Sequence, residues 1–351
     1  MSTELSRRAK ARVLLGALLL RRVPFWQRTR ARRVARYVVL ACYVYVASLL
    51  GLVAAQNWLV FPGVFIRGSC EPPDYLRVRK LTLTSADGNG IQVWFSAPEG
   101  WEPHRGAILI SHGNGDTLCS MSGTVSRWRQ EVGRAVVVFD YPGYGQSTGA
   151  PSEAGCYAAG EAALRWLTND QRVPVSEIIL YGESLGGATA VELASRNAVR
   201  LLVLHAAFTS FPDVAQNHLP WYPTRYLVHI QMDNEAKIRR VRCPVLIAHG
   251  TADRTVPFDE GDRLFAAALS QKDSFAWREK GTYRPTKRTF SARSANFFRR
   301  QPALCRIRCK PVSNPFGFER ACANAAAPNS LTLLDKRAIV TARSPCVSSG
   351  D

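Results

Sequence analysis

The chain has 351 residues and a formal net charge of +19, but the positive charge is confined to its two ends. Residues 1–36 carry eleven Lys/Arg and one acid, and residues 274–351 carry fifteen Lys/Arg and four acids, which leaves residues 37–273 with a net charge of −2. This length allows one large domain with extensions. The near-neutral centre excludes a basic groove for phosphates, so no nucleic-acid partner is predicted.

A long apolar run near the N-terminus predicts a membrane anchor. Residues 37–66 contain no charged side chain, and residues 37–58 have the length and composition of a membrane-spanning helix. Arginines crowd the preceding leader, residues 1–36, which predicts a cytoplasmic N-terminus and a following domain on the outer (periplasmic, extracytoplasmic or lumenal) side. A cleaved signal peptide is the alternative, because Val53-Ala54-Ala55 has the small residues that a signal peptidase prefers. Both interpretations export the domain, and the long leader and long apolar run favour a single-pass anchor.

The chain after the anchor alternates between predicted strands and helices. Residues 59–75 contain Pro62, Pro72 and Pro73, which predicts a linker. The expected strands are a hairpin and five short apolar runs: 79–84, 91–95, 107–110, 135–139, 178–181, 201–204 and 244–248. The expected helices lie between or after them: 125–132, 153–167, 188–195 and from 258 onward. Short apolar strands separated by helices predict an α/β fold with a doubly wound, mostly parallel sheet.

The pentapeptide Gly182-Glu183-Ser184-Leu185-Gly186 stands between a predicted strand and a predicted helix. This is the context of a nucleophile elbow, a sharp turn that exposes the serine hydroxyl above the sheet. The helix that follows would aim its positive end at negative charge that develops near Ser184. The alternative is a glycine-rich turn with a solvated serine.

Other polar residues follow the predicted strands at their carboxyl ends. Acyl transfer needs two N–H donors for the tetrahedral oxyanion, and the backbone amides of Asn114 and Leu185 are the candidates. His112 and Asp140 are expected to brace loops rather than to take part in chemistry. Asp253 is the candidate acid that orients a catalytic histidine. Its alternative role is to cap the helix that starts at Phe258.

Four segments together resemble the α/β-hydrolases, and more narrowly the membrane-anchored α/β-hydrolase-domain (ABHD-type) serine hydrolases. They are His-Gly-Asn-Gly at 112–115, Asp-Tyr-Pro-Gly-Tyr-Gly-Gln-Ser at 140–147, Gly-Glu-Ser-Leu-Gly-Gly at 182–187 and Pro-Val-Leu-Ile-Ala-His-Gly-Thr-Ala-Asp at 244–253. The resemblance implies an α/β-hydrolase domain over residues 76–273, with Ser184 as nucleophile and Asp253 as acid. It also implies a small-molecule or lipid-like acyl substrate, cleaved at an ester, thioester or amide through an acyl-enzyme.

The resemblance assigns residues 209–241 to a cap over the site. Its segment Pro220-Trp221-Tyr222-Pro223 either lines an apolar acyl pocket or is buried in the packing of the cap. No cofactor and no metal are predicted, because the cysteines lack the paired close spacing of a zinc site. A disulfide is compatible with export, but the sequence leaves its pairing open.

The sequence departs from the family after Asp253. The family's third catalytic residue is a histidine after the last strand, but the six histidines of this chain all precede Asp253. No clear apolar strand follows Asp273, so the last strand, the histidine loop and the terminal helix are expected to be absent. Residues 274–351 are then a frame-shifted or disordered tail, or alternatively a genuine basic tail that binds acidic lipid headgroups.

Without that histidine, Ser184 has no conventional base, and a serine hydroxyl alone is a poor nucleophile. His205 follows the strand next to the elbow strand and is the candidate surrogate base. We therefore expect a membrane-anchored serine hydrolase with weak or no turnover. The alternative is a non-catalytic pseudo-hydrolase that binds a ligand or serves as a scaffold. The oligomeric state is not predicted.

Overall fold

The computed structural model describes residues 30–66, 68, 70–270 and 272–277. Its first element, helix α1, spans Arg30–Val60 and contains the whole predicted anchor, residues 37–58. From Arg32 to Val60 it has 29 residues and the composition of a membrane-spanning helix. At 1.5 Å per residue this stretch is about 44 Å long, more than the roughly 30 Å hydrocarbon core of a bilayer. Helix α1 is thus long and apolar enough to cross a membrane.

The rest of the described chain is built on one sheet of eight strands, in the order β1-β2-β4-β3-β5-β6-β7-β8. The strands are β1 Arg79–Thr84, β2 Gly90–Ser96, β3 Ala107–Ser111, β4 Ala135–Phe139, β5 Ile178–Glu183, β6 Leu201–His205, β7 Val245–Gly250 and β8 Lys272–Trp277. Only β1–β2 and β2–β4 pair antiparallel, and every other neighbouring pair is parallel. The mostly parallel sheet predicted from the sequence is confirmed.

Helices cover both faces of this sheet, as the doubly wound prediction requires. They are α2 Ser122–Val132, α3 Glu153–Arg165, α4 Leu185–Arg196, α5 Phe211–His218, α6 Thr224–Leu227, α7 Asn234–Ile238 and α8 Phe258–Ala267. Val125 and Trp128 of α2 belong to the apolar cluster on one face. Residues of α3, α4 and α8, such as Ala159, Val191 and Leu264, belong to the larger cluster on the other face. Both faces of β3 to β7 are therefore buried, which explains their continuous apolar sequences.

Residues 59–75 are not an open linker throughout, as their prolines suggested. Helix α1 continues to Val60, and a 3₁₀ turn follows at Pro62–Phe65. Val60 and Phe61 are buried in the larger apolar cluster. Further along, Cys70 forms a disulfide with Cys119 in the loop after β3. Proline here fixes a compact turn rather than an extended connection, so the α/β domain begins at the end of α1.

The expectation that the last strand is absent is wrong. Strand β8, Lys272–Trp277, pairs parallel with β7 in the register from Val245↔Lys272 to Gly250↔Trp277. This strand was missed because it lacks the apolar run that marks the buried strands, although Phe275, Ala276 and Trp277 favour it in part. An edge strand forms through the backbone ladder, which a sequence pattern does not reveal. The sheet therefore continues to Trp277, and the rest of the predicted tail lies outside the described residues.

Candidate active site

Ser184 occupies a sharp turn between the carboxyl end of β5 and the first residue of helix α4. Its backbone has φ +50° and ψ −114°, a left-handed conformation that is unusual for any residue with a side chain. Two hydrogen bonds hold this turn: Ser184 N–H donates to the carbonyl of His205 (2.9 Å), and Gly187 N–H donates to the carbonyl of Ser184 (2.9 Å). The serine is partly exposed. The turn thus presents the hydroxyl at the edge of the sheet.

The two glycines of the pentapeptide are required by close packing of the backbone. A Cβ added at Gly182 would lie 2.5 Å from the carbonyl oxygen of Gly186 and 2.6 Å from Cα of Gly187. A Cβ added at Gly186 would overlap the carbonyl of Ser111 at the end of β3. The spacing Gly-x-Ser-x-Gly is thus what lets helix α4 begin directly against two strand ends.

That contact brings the two candidate oxyanion donors to the same edge of the sheet. Leu185 is the first residue of α4, so its N–H is among the amides that have no partner within the helix. Asn114 lies in the loop after β3, three residues beyond Ser111, and β3 is the direct neighbour of β5. The two residues therefore flank the elbow from adjacent strands.

The side chain of Asn114 is held at both ends. Its Nδ2 donates to the carbonyl oxygen of Val60 (2.5 Å), and its Oδ1 accepts from the hydroxyl of Tyr144 (2.6 Å). Burial raises the pKa of Tyr144 well above its ordinary value, so this hydroxyl keeps its proton and remains a donor. The loop that carries one candidate oxyanion amide is therefore fixed by side-chain hydrogen bonds.

His112 and Asp140 make the contacts expected of braces. The His112 ring is fully buried, with Nδ1 2.9 Å from the carbonyl of Gly113 and Nε2 3.3 Å from Oδ1 of Asp140. Asp140 also accepts a hydrogen bond from the N–H of Leu118 (2.9 Å). Burial by itself lowers the pKa of His112, but the carboxylate of Asp140, together with the carbonyl of Gly113 and the charge of Asp116, makes the net shift of this pKa upward. These contacts hold the loops after β3 and β4 together.

Asp253 lies in the loop after β7, two strands away from β5 and thus about 10 Å across the sheet. Its Oδ1 accepts from the backbone N–H groups of Thr255 (2.8 Å) and Val256 (3.0 Å). It does not cap helix α8, whose N-cap is Pro257. Asp253 therefore fixes its own loop with one carboxylate oxygen.

The imidazole of His249 lies near the other carboxylate oxygen of Asp253 but does not form a hydrogen bond with it. Nε2 of His249 lies 3.9 Å from Oδ2 of Asp253 but 2.9 Å from the carbonyl of Val256. Burial lowers the pKa of His249, so its ring is neutral and Nε2–H donates to that carbonyl. His249 is thus a structural residue of the β7 loop.

His205 ends β6 directly opposite Glu183 on β5. Its Nδ1 lies 3.3 Å from the hydroxyl of Tyr181 and 3.6 Å from Oε2 of Glu183, and the ring is buried. Within the part of the chain that the structure describes, the hydroxyl of Ser184 makes no hydrogen bond to this ring. The candidate surrogate base thus lies beside the elbow, with Nδ1 turned toward the side chains of β5.

The predicted cap, residues 209–241, contains helices α5, α6 and α7 and is tied to helix α8 by a buried carboxylate. Glu260 accepts hydrogen bonds from the N–H and the hydroxyl of Thr209 and from Nδ2 of Asn217. Trp221 is 85% exposed, so burial in the cap packing, one of the two alternatives for this segment, does not hold for its ring. The aromatic ring lies at the surface because the surrounding segment Leu219–Pro223 is a loop between two short helices.

Comparisons with known proteins identify the superfamily to which this chain belongs. A family model described as alpha/beta hydrolase fold matches residues 106–227. The protein Rv2307c of Mycobacterium tuberculosis (strain ATCC 25618 / H37Rv) is 36% identical over 200 residues, which cover 55% of this chain and 68% of that protein. The alpha/beta hydrolase domain-containing protein aho-3 of Caenorhabditis elegans is 38% identical over 158 residues, 45% of this chain and 46% of that protein. This chain therefore belongs to the α/β-hydrolase superfamily.

A solved structure shares the fold. The esterase Pf2001 of Pyrococcus furiosus superposes with a TM-score of 0.57 at 15% identity, covering 66% of this chain and 95% of that protein. At this identity the likeness concerns architecture alone. The protein is thus a hydrolase-fold protein, preceded by one helix capable of spanning a membrane.

Sequence reasoning missed several parts of this site. Neither the hydrogen bond from Asn114 to Val60 nor the Cys70–Cys119 disulfide has a local signal, because each joins residues that lie about 50 positions apart in the chain. The contact between Tyr144 and Asn114 could have been predicted, since both residues belong to motifs that follow adjacent strands. The pairing of His205 with Glu183 follows from the strand register alone.

Proposed function

We propose that this protein is a membrane-anchored serine hydrolase that cleaves an ester, thioester or amide bond of a small-molecule or lipid-like acyl substrate. The observation that carries the proposal is the strained backbone of Ser184 at the start of a helix. Such strain persists where the surroundings enforce it and is concentrated at functional sites. The proposed reaction forms a bond between Ser184 Oγ and the acyl carbon, and the leaving group departs with a proton. The amides of Asn114 and Leu185 bind the oxyanion.

The reaction is impaired by the lack of a base. Asp253 would orient an imidazole in this proposal, yet no histidine follows it in the sequence. His205 is our candidate substitute, because it ends the strand next to the elbow strand and its Nδ1 lies 3.6 Å from the carboxylate of Glu183. Exposed Trp221 would provide apolar surface in the cap for an acyl chain.

We further propose that helix α1 retains the protein in the membrane, with the N-terminus in the cytoplasm and the domain on the outer side. The basic residues before the helix favour this orientation. The disulfide between Cys70 and Cys119 supports it, because disulfides persist in oxidising compartments such as the periplasm or the secretory lumen.

Labelling with a fluorophosphonate probe tests the catalytic proposal. Ser184 Oγ would attack phosphorus, fluoride would leave, and the serine proton would pass to a base. The full chain should label slowly, and added imidazole should accelerate labelling by supplying the missing base. Ser184→Ala should abolish labelling, and His205→Gln should remove the residual rate without imidazole. No labelling of Ser184 with or without imidazole would refute the hydrolase proposal.

A pseudo-hydrolase that binds a ligand without turnover is the second candidate. It is favoured by one specific observation, the absence of any histidine after Asp253. Folded full-length protein that resists the probe in imidazole, yet binds an acyl ligand saturably, would support it. Saturable binding should then persist in Ser184→Ala, whereas covalent attack by Ser184 is lost in that variant.

A further inference from the structure

The segment Val60–Phe65, which begins with the last residue of the membrane helix, contacts the loop that carries a candidate oxyanion donor. Val60 is the last residue of α1, so its carbonyl is one of those that lack a partner within the helix. Nδ2 of Asn114 satisfies it at 2.5 Å. The side chain of Asn114 thus caps the last residue of the helix, while its backbone N–H belongs to the proposed oxyanion site.

A second contact reaches the same residue through Tyr144. The hydroxyl of Tyr144 donates to Oδ1 of Asn114 at 2.6 Å. The Tyr144 ring is fully buried and packs so closely on Gly63 that a Cβ added there would overlap it. The side-chain amide of Asn114 therefore donates to Val60 and accepts from Tyr144, whose ring packs on Gly63.

We propose that the segment Val60–Gly63 and Tyr144 form a juxtamembrane clamp that positions the oxyanion loop through the side chain of Asn114. This inference rests on the proposed function and adds a positioning role for the end of the membrane helix. The end of the membrane helix is part of the catalytic support rather than a passive tether. Val60 and Tyr144 are positioning residues, because neither touches the reacting atoms.

The physical reason is that an oxyanion site acts by fixed geometry. Removing one donor from such a site typically lowers the rate by about a hundredfold to a thousandfold. Loosening the clamp leaves the Asn114 N–H in the chain but frees its position, so the loss should be smaller. We expect the maximal labelling rate of Ser184 to fall about tenfold.

Two variants of the full chain test the clamp, Tyr144→Phe and Gly63→Ala. The first removes only the hydroxyl, and the second displaces the ring by overlap. Gly68→Ala is the matched control, since an added Cβ there meets nothing within 4 Å. The rate of fluorophosphonate labelling is measured against probe concentration in saturating imidazole. Both variants should lower the maximal rate about tenfold while leaving the half-saturating probe concentration within about twofold of the control. A purely structural loss would not lower the maximal labelling rate while leaving the half-saturating probe concentration unchanged.

Hydrogen exchange gives a readout that does not depend on reactivity. The turn closed by Asp116 N–H and the carbonyl of Gly113 should exchange faster in both variants than in Gly68→Ala. If the unmodified chain proves unreactive, the hydrolase proposal fails and exchange alone decides the clamp. Exchange and labelling that match the control in both variants would overturn it.

Discussion

Replacing Ser184 by glycine should stabilise the protein. Ser184 has φ +50° and ψ −114°, and its hydroxyl makes no hydrogen bond within the described part of the chain. A side chain in such a conformation costs about 1–3 kcal/mol. Glycine adopts it freely but loses about 0.5–1 kcal/mol more conformational entropy on folding. The net gain in the free energy of unfolding should be about 0.5–2 kcal/mol.

Ser184→Ala is the matched control for this prediction. Alanine also removes the hydroxyl, but it keeps Cβ and therefore the backbone strain. Ser184→Gly should exceed Ser184→Ala by about 1–8 °C in melting temperature, since 1 kcal/mol corresponds to about 2–4 °C in a domain of this size. Both variants should fail to react with a fluorophosphonate, so the comparison isolates strain from chemistry.

The measurement is reversible urea unfolding of the full chain in detergent, followed by tryptophan fluorescence, with thermal scans as a second probe. The reasoning requires the glycine variant to be the most stable of the three proteins. Equal stability of Ser184→Gly and Ser184→Ala would show that the turn is relaxed, and the inference from strain to function would then lose its basis.

Three further outcomes are expected. In a urea titration, Gly186→Ala should lower the free energy of unfolding by about 3 kcal/mol or more, because its Cβ would overlap a strand carbonyl. Gly115→Ala is the control: an added Cβ there has open space around it, so the free energy of unfolding should change by less than about 0.5 kcal/mol. The folded-state pKa of His112 is raised, despite burial, by Asp140, so their interaction stabilises the fold fully below about pH 6.5 and is lost as pH rises through the folded-state pKa. Asp140→Asn should therefore lower the melting temperature more at pH 6 than at pH 9. Equal losses at the two pH values would contradict the pairing. If the tail is frame-shifted, the coding DNA after codon 270 should encode a Gly-His pair in one of the other two frames. Codons 280–282 are one place that allows it, since Lys-Gly-Thr (AAR-GGN-ACN) reads RGG-NAC two nucleotides on and GGG-CAC is Gly-His. The lack of a Gly-His pair in both frames would exclude a frame shift as the cause of the missing base.

Much of the fold could be predicted from the sequence because buried parallel strands have continuous apolar sequences. Strand β4, Ala135–Phe139, was predicted to the residue, and helix α4 began only three residues before its predicted start. The elbow was predictable for a related reason, since Gly182 and Gly186 are required by contacts within a few residues of the turn. These features depend on local geometry, which a pattern of residue types records.

Features that depend on distant partners were not predictable. Strand β8 forms by backbone pairing with β7, so its polar residues did not prevent it. The burial of Val60 and Phe61 depends on a core assembled from strands far along the chain. The site residues themselves were assigned by order along the chain, and their support by Tyr144 and Val60 emerged only from the folded arrangement.

The presence of β8 changes how the missing base is interpreted. In a parallel sheet, the carboxyl end of β8 lies beside that of β7, whose loop carries Asp253. Trp277, the last residue of β8, pairs with Gly250, three residues before the carboxylate of Asp253 that is proposed to orient the catalytic histidine. The described chain has the elbow, the loop of the proposed oxyanion site, the Asp253 loop and the strand that leads to the missing imidazole. We therefore propose that the impairment is the loss of one side chain, the imidazole, rather than the loss of the whole site, and a small soluble base should then restore reactivity at Ser184.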